Sequence, residues 1–109
     1  KLDNLIVFVD RNYIQIDGNT EYIMPLDPMD KKWEAFNWHV QTINGHDIQE
    51  IISSIEIAKA TKNKPSIIIA KTIPGKGVSF MENDYTWHGK APNMEEAEKA
   101  LLELKAIEI

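Results

Sequence analysis

Three short segments typical of strands alternate along the chain with stretches of helical periodicity. The segments lie at Leu5–Val9, Trp38–Ile43 and Ser66–Ala70, and the second has an alternating character. The first and third are uninterrupted apolar runs rich in β-branched residues, which predicts parallel strands buried on both faces. Because the strands alternate with helices over short connections, we expect βαβ units in an α/β fold, with a three-layer parallel sheet and helices on both faces.

The helix ends are marked by capping residues. Asp27 is predicted to cap a helix that starts at Pro28, runs to about Phe36 and packs Trp33 on the sheet. Asp47 and Glu50 predict a capping box for a second helix that ends near Thr61. Its apolar stripe is predicted to contain Ile48, Ile51, Ile52, Ile55 and Ala58. Asn93 and Glu96 predict the start of a last helix, while residues 21–26 and 78–89 are predicted to be irregular.

Composition narrows the classes of function. Hydrophobic residues make up 43% and charged residues 27% of the 109 residues, as in soluble globular proteins. Cysteine is absent, which excludes disulfides and thiolate metal sites and suits a cytoplasmic protein. The net charge of −5 without a basic cluster argues against nucleic acid as a partner. No segment has the length and apolarity of a membrane span, and no secretory signal is visible.

The first predicted strand begins close to Lys1, which is not a methionine. A parallel strand buried on both faces needs neighbouring strands and covering helices. We therefore expect further polypeptide before Lys1, or another chain that supplies this cover.

Polar residues follow the first strand at Asp10, Arg11 and Asn12, and Asp17–Gly18 marks a turn. The carboxyl edge of a parallel sheet is where ligands bind in open α/β folds. Taken alone, however, these residues are also typical of a polar cap on a buried strand.

The third strand is followed by a second group of candidate residues. Gly75 and Gly77 flank Lys76, and glycine lets the backbone approach a ligand closely, although a lone Gly-Lys-Gly is also typical of a flexible turn. His88 follows in a Trp-His-Gly sequence, and a histidine side chain titrates near neutral pH, which suits proton transfer. His39 and His46 are interpreted as structural.

The stretches NLIVFVDRNYIQIDG and PGKGVSFMENDYTWHGKAP resemble the transketolase family of thiamine diphosphate enzymes. The resemblance covers essentially the whole chain. It identifies residues 1–109 as the carboxyl-terminal portion of the thiamine diphosphate-binding N-terminal domain, and is especially close to the small N-terminal subunit of split transketolases. It implies part of the thiamine diphosphate-binding fold.

The resemblance also implies roles for four residues. The Asn12 side chain and the Ile14 backbone carbonyl would bind Mg²⁺, a hard cation that prefers oxygen ligands. Ile16 would pack near the cofactor. His88 would contact the diphosphate and transfer protons near the reacting centre.

Two departures from the family pattern are visible. The Gly-Asp-Gly turn, whose aspartate is a further metal ligand in the family, is absent from residues 1–109, and Pro74 stands where some relatives carry a lysine. Since Mg²⁺ usually binds one or two carboxylates, we predict that the isolated chain binds metal and cofactor poorly. It is predicted to be inactive without the missing segment and a partner subunit.

The implied activity is transfer of a two-carbon ketol unit between sugar phosphates, a transferase reaction of the pentose phosphate pathway. A complementary transketolase subunit or domain would complete a dimeric or heterotetrameric assembly. Two alternatives remain open. The chain is a piece of another thiamine diphosphate enzyme, such as deoxyxylulose-phosphate synthase or a keto-acid dehydrogenase component, or it is a non-catalytic interaction fragment.

Overall fold

A computed structural model describes residues 1–107. The strands are β1 (Ile6–Arg11), β2 (Ile14–Gln15), β3 (Gly18–Asn19), β4 (His39–Asn44) and β5 (Ser66–Lys71). The helices are α1 (Thr20–Ile23), α2 (Met29–Ala35), α3 (Ile48–Ala60) and α4 (Met94–Lys105), with a 3₁₀ turn at Tyr85–Trp87. The chain divides into two compact units. The first comprises Lys1–Arg11 and Leu26–Thr72, and the second comprises Asn12–Pro25 and the chain from Ile73 onward.

The first unit contains a parallel three-stranded sheet in the order β1-β5-β4. This confirms the predicted α/β class. Strand β5 lies in the centre, and the side chains of Ile67 and Ile68 are fully buried. Strand β1 is an edge strand, and Phe8, which faces Ile68 in the register, keeps 45% of its surface exposed. Within this chain β5 is therefore buried as predicted, whereas the burial of β1 on both faces, for which cover from further polypeptide is expected, stays a prediction.

Helix α2 begins one residue later than predicted, with Pro28 at the N-cap and no side-chain hydrogen bond there. Asp27 is therefore not the cap. Its carboxylate instead lies 3.3 Å from the guanidinium of Arg11, a buried side chain at the end of β1. Trp33 packs edge-to-face on Trp38, with 4.9 Å between the ring centroids, and α2 contacts β4 as expected.

Helix α3 confirms the predicted cap and end. The Asp47 carboxylate accepts hydrogen bonds from the backbone N–H groups of Gln49 and Glu50, and Thr61 is the C-cap. The Glu50 side chain does not complete a capping box, because its carboxylate accepts from the Asn44 backbone N–H at 2.7 Å. The buried side of α3 agrees with the predicted stripe only in part. Ala58 is buried as predicted, and Ile51 and Ile55 are half-buried. Ser54, which lies outside the predicted stripe, is also buried, while Ile48 and Ile52 are at least half exposed.

The second unit contains structure that periodicity did not predict. Strands β2 and β3, of two residues each, form an antiparallel hairpin, which leads directly into the single helical turn of α1. Helix α4 begins as predicted, with a complete capping box between Asn93 and Glu96. Among residues 1–107, no helix combines the length and apolarity needed to cross a bilayer.

Candidate functional site

A tight turn follows β1, and a hydrogen bond to the side chain of its first residue, Asn12, stabilises it. The Asn12 amide oxygen accepts a hydrogen bond from the Ile14 backbone N–H at 3.1 Å. Tyr13, between them, has φ 61°, a left-handed conformation that non-glycine residues adopt uncommonly. Its carbonyl accepts from the Thr20 N–H at 2.9 Å, which ties the turn to the start of α1. The Asn12 amide and the Ile14 peptide group are thereby fixed next to each other.

A cavity of about 370 Å³ opens beside this turn, within the second unit. Its wall combines amide, phenol and carboxylate groups with a few apolar side chains. The lining residues are Asn12, Tyr13, Ile14, Asp17, Gly18, Asn19, Tyr22, Ile23, Asn83 and Tyr85. The described lining includes neither Ile16, which is 72% exposed, nor His88.

The segment that follows β5 packs closely around two of its glycines, Gly75 and Gly77. Gly75 has φ +73°, and a Cβ atom there would lie 2.6 Å from the Met81 carbonyl oxygen. Gly77 has φ +93°, and a Cβ atom there would lie 3.0 Å from the side chains of Leu104 and Ile107. The two glycines therefore permit close approach within the protein itself, and the approach to a ligand that the Gly-Lys-Gly sequence suggested stays a prediction.

This segment is also tied to α4. The Glu103 carboxylate accepts hydrogen bonds from both the backbone N–H and the hydroxyl of Ser79. These bonds stabilise the ionised form, so they lower the pKa of Glu103. The Gly77 N–H donates to the Glu82 carboxylate at 3.0 Å, which closes the turn around the buried Val78.

His88 lies at the end of a short capped turn. Asp84 caps the Tyr85–Trp87 turn by accepting from the hydroxyl and the backbone N–H of Thr86, and these bonds lower the pKa of Asp84. The Trp87 indole N–H donates to the Phe80 carbonyl at 3.1 Å. The His88 backbone N–H donates to the Tyr85 carbonyl at 2.9 Å, and the His88 side chain is exposed.

The structure thus brings together two of the four residues that the sequence singled out. Asn12 and Ile14 share one turn and one cavity. His88 follows Tyr85, a cavity residue, by three positions, and the 3₁₀ turn between them contacts β3. Asn83 and Tyr85 were not predicted from the sequence. Asn83 has φ 60°, a left-handed conformation that asparagine tolerates. The presence of an asparagine at this position was the only local signal in the sequence.

The other two histidines have structural surroundings. The His39 ring nitrogen Nδ1 lies 3.4 Å from the hydroxyls of Thr61 and Ser66, which come from the end of α3 and the start of β5. The His46 backbone N–H donates to the Asn44 amide oxygen at 3.0 Å. Both histidines belong to the first unit, whereas the cavity lies in the second.

The donor set of the cavity fits a hard cation only in part. Asn12, Ile14 and Asp17 all line the cavity, and an amide, a backbone carbonyl and a carboxylate are oxygen donors of the kind that Mg²⁺ prefers. Among residues 1–107, however, no group of three or more histidine, cysteine, aspartate or glutamate side chains is arranged to hold a metal ion. A metal here would need further ligands, such as the oxygens of a bound diphosphate.

Residues 1–105 match the family model described as transketolase, thiamine diphosphate binding domain. The chain is 48% identical over 105 residues to a 6-deoxy-6-sulfo-D-fructose transketolase subunit of Clostridium sp. (strain MSTE9), covering 96% of this chain and 38% of that subunit. It is 42% identical to one subunit of the apulose-4-phosphate transketolase of Phocaeicola vulgatus, covering 95% of this chain and 37% of that protein. The chain therefore spans less than two-fifths of the length of these relatives.

The fold is similar to that of solved transketolases. The crystal structure of transketolase from Campylobacter jejuni superposes on 96% of this chain and 16% of its own length, with a TM-score of 0.85 and 37% sequence identity. Human transketolase is 34% identical over 104 residues, 95% of this chain and 16% of the human protein. The observed fold class therefore agrees with the resemblance in the sequence.

Proposed function

The chain belongs to the transketolase family, within its thiamine diphosphate-binding domain, and we propose that it helps to anchor the cofactor diphosphate through Mg²⁺. The observation that supports this proposal is that Asn12 and Ile14 share one turn and both line one cavity. The proposed ligands are the Asn12 amide oxygen and the Ile14 backbone carbonyl. Such neutral oxygen donors complement diphosphate oxygens around a hard cation. When bound, thiamine diphosphate supplies the electron sink for cleavage of a carbon–carbon bond next to a carbonyl.

The role proposed for Asn12 is to ligate the metal with its amide oxygen. The turn that begins at Asn12 is proposed to hold the Ile14 carbonyl in place as a second ligand. An amide oxygen has two lone pairs, and one accepts the Ile14 N–H. The second is proposed to bind the cation. Because the backbone turn is already formed, little ordering is required when the metal binds. Ile16, which is exposed, is proposed to pack against the cofactor when it is present.

The role proposed for His88 is to contact the diphosphate and to move a proton at its imidazole. Its exposed side chain stands at the end of a turn that packs on β3, the strand whose two residues line the cavity. Histidine suits this work because neutral imidazole both donates and accepts a hydrogen bond. Metal ligation is therefore assigned to Asn12 and Ile14, and proton transfer to His88.

We infer that the reaction is transfer of a two-carbon ketol unit between phosphorylated or similarly anionic sugars. Two relatives are named for 6-deoxy-6-sulfo-D-fructose and apulose-4-phosphate, and both are named as subunits. A complementary transketolase polypeptide is accordingly the proposed partner. The residues of this chain leave the donor sugar open, so the test uses a sulfosugar and a sugar phosphate side by side.

The test compares Asn12→Ala with Asn44→Ala in the chain assembled with its complementary polypeptides. Asn44 is a matched control, because its amide oxygen accepts from the N–H two residues later, as that of Asn12 does. Calorimetry should show that N12A weakens Mg²⁺-dependent binding of thiamine diphosphate by at least about tenfold, the lower end of the loss caused by removing a group that supports a metal site. N44A should bind like the unmodified protein.

Activity is measured as two-carbon transfer with each donor. His88→Ala should lower kcat by about 100-fold, the lower end of general acid–base contributions. Rates equal to those of the unmodified protein in both N12A and H88A would refute the two role assignments. Absence of cofactor binding in every assembly tested would favour a non-catalytic interaction fragment.

A further inference from the structure

Within the described part of the chain, the His88 side chain is held in place through the backbone of the residues next to it, and not by bonds of its own imidazole. Among residues 1–107, no hydrogen bond or ion pair is formed by this side chain, and only its backbone N–H is bonded, to the Tyr85 carbonyl. Gly89 follows with φ +80°, and a Cβ atom there would meet nothing within 4 Å. No hydrogen bond or ion pair among these residues therefore holds the imidazole directly, so its position depends on how the backbone of its neighbours is held.

Trp87, the residue before His88, is held by three contacts of different kinds. Its indole N–H donates to the Phe80 carbonyl at 3.1 Å. Its ring meets the Phe80 ring edge-to-face, with 5.6 Å between centroids and 63° between planes, an arrangement that aromatic pairs favour. The ammonium of Lys90 lies 3.9 Å from the centroid of the indole ring, within cation–π range.

The groups that hold Trp87 are themselves held by α4. Lys90 lies 3.5 Å from the carboxylate of Glu96, which is part of the capping box at the start of this helix. Phe80 follows Ser79, whose N–H and hydroxyl both donate to Glu103 near the helix end. Trp87 therefore connects the turn that precedes His88 to both ends of α4.

We propose that Trp87 is the positioning residue of His88, and that it fixes the backbone from which the imidazole reaches the reacting groups. The catalytic consequence rests on the function proposed above. A misplacement of about 1 Å by a substitution away from the chemistry costs on the order of 100-fold in rate. Trp87 acts through His88 and is not itself a catalytic residue.

The first test measures backbone order at His88 by ¹⁵N relaxation in the full chain. In Trp87→Ala, the order parameter of the His88 amide should fall from about 0.85, typical of rigid backbone, to below about 0.6. Trp87→Phe should give an intermediate fall, because it retains a ring beside Phe80 and Lys90 but lacks the N–H donor. Trp33→Phe, which alters the edge-to-face contact with Trp38 in the first unit, should leave His88 unchanged.

An unchanged order parameter at His88 in folded W87A would overturn the proposal. If W87A does not fold, W87F decides, since a fall at His88 in W87F but not in W33F supports the proposal and equal values refute it. This readout needs neither cofactor nor activity.

The second test is a double-mutant cycle in the assembled enzyme at saturating thiamine diphosphate and Mg²⁺. W87A should lower kcat by roughly 10- to 100-fold in the unmodified background. In the H88A background it should lower kcat by less than about twofold, because residues that act through one another are not additive. Equal losses in both backgrounds would indicate a merely structural role and refute the proposal. If H88A itself keeps full activity, the catalytic role of His88 is wrong, and backbone order alone decides whether Trp87 positions it.

Discussion

Gly75→Ala tests whether the loop after β5 depends on close packing of its own backbone. Gly75 has φ +73°, and an added Cβ atom would lie 2.6 Å from the Met81 carbonyl oxygen and 2.7 Å from its carbonyl carbon. Gly89→Ala is the matched control in the same loop. Its φ is +80°, but an added Cβ atom there meets nothing within 4 Å. Both variants therefore place an alanine in a left-handed conformation, but only Gly75→Ala also brings the new Cβ atom into a steric clash with the Met81 backbone.

The expected difference follows from these two contributions. A left-handed conformation costs an alanine about 1–2 kcal/mol. Loss of unfolded-state entropy on replacing glycine offsets about 0.4–1 kcal/mol of this. Gly89→Ala should therefore lower the free energy of unfolding by about 1 kcal/mol. Gly75→Ala should add about 1–3 kcal/mol for overpacking against backbone that cannot rotate away, for a total of about 2–4 kcal/mol.

Urea denaturation followed by tryptophan fluorescence measures both values, and an unchanged slope shows that only stability has changed. Gly75→Asn separates the two contributions, since asparagine tolerates the left-handed region but still carries a Cβ atom. It should remain well below the unmodified protein in stability. If G75A and G89A unfold within about 0.5 kcal/mol of each other, the scatter expected for substitutions away from special features, then close packing at Gly75 does not limit stability.

Three further results are expected. Ile68→Ala should lower the free energy of unfolding by about 2–5 kcal/mol, because the Ile68 side chain is fully buried in the central strand. In chemical denaturation, Phe8→Ala should cost clearly less, because Phe8, the register partner of Ile68, is 45% exposed. Equal losses would contradict the assignment of β1 as an edge strand. Asp47→Ala should cost about 1 kcal/mol of stability by removing the α3 cap, and a thermal midpoint equal to that of the unmodified chain would count against the cap. Hydrogen bonds from Ser79 lower the pKa of Glu103 below its ordinary 4.5, so its contribution to stability is present above pH 4.5 and is lost as the pH falls through the lowered value. Ser79→Ala should raise this pKa part of the way back in an NMR titration of the carboxyl carbon, and an unshifted curve would show that the hydroxyl bond does not form.

The local features of the fold could be predicted because they depend on neighbours in the sequence. The caps at Asp47 and Asn93 need only backbone N–H groups two or three residues away. The strands and the α/β class followed from apolar runs and their spacing. In the candidate site, the turn at Asn12 is also local, since its amide oxygen bonds the N–H of Ile14.

Features that depend on distant residues could not be predicted in this way. An apolar run gives a strand but not its place in the sheet, so β1 and β5 looked alike although, within this chain, only β5 is buried. Asp27 has the side chain of a helix cap, yet in the folded chain it lies beside Arg11, sixteen positions earlier. The short hairpin of β2 and β3 carries too few residues for a periodic signal.

By itself, the sequence determined the class of fold, the family resemblance and the residue types of the candidate site, because these depend on composition and spacing along the chain. Only the tertiary structure decided that Asn83 and Tyr85 join Asn12 and Ile14 around one cavity, although about seventy positions separate the two groups. It also decided that the Ser79 backbone N–H donates to the carboxylate of Glu103, which lies 24 positions later. Such contacts depend on how the chain folds back on itself, and the chemistry of each residue alone does not specify which distant partner it meets.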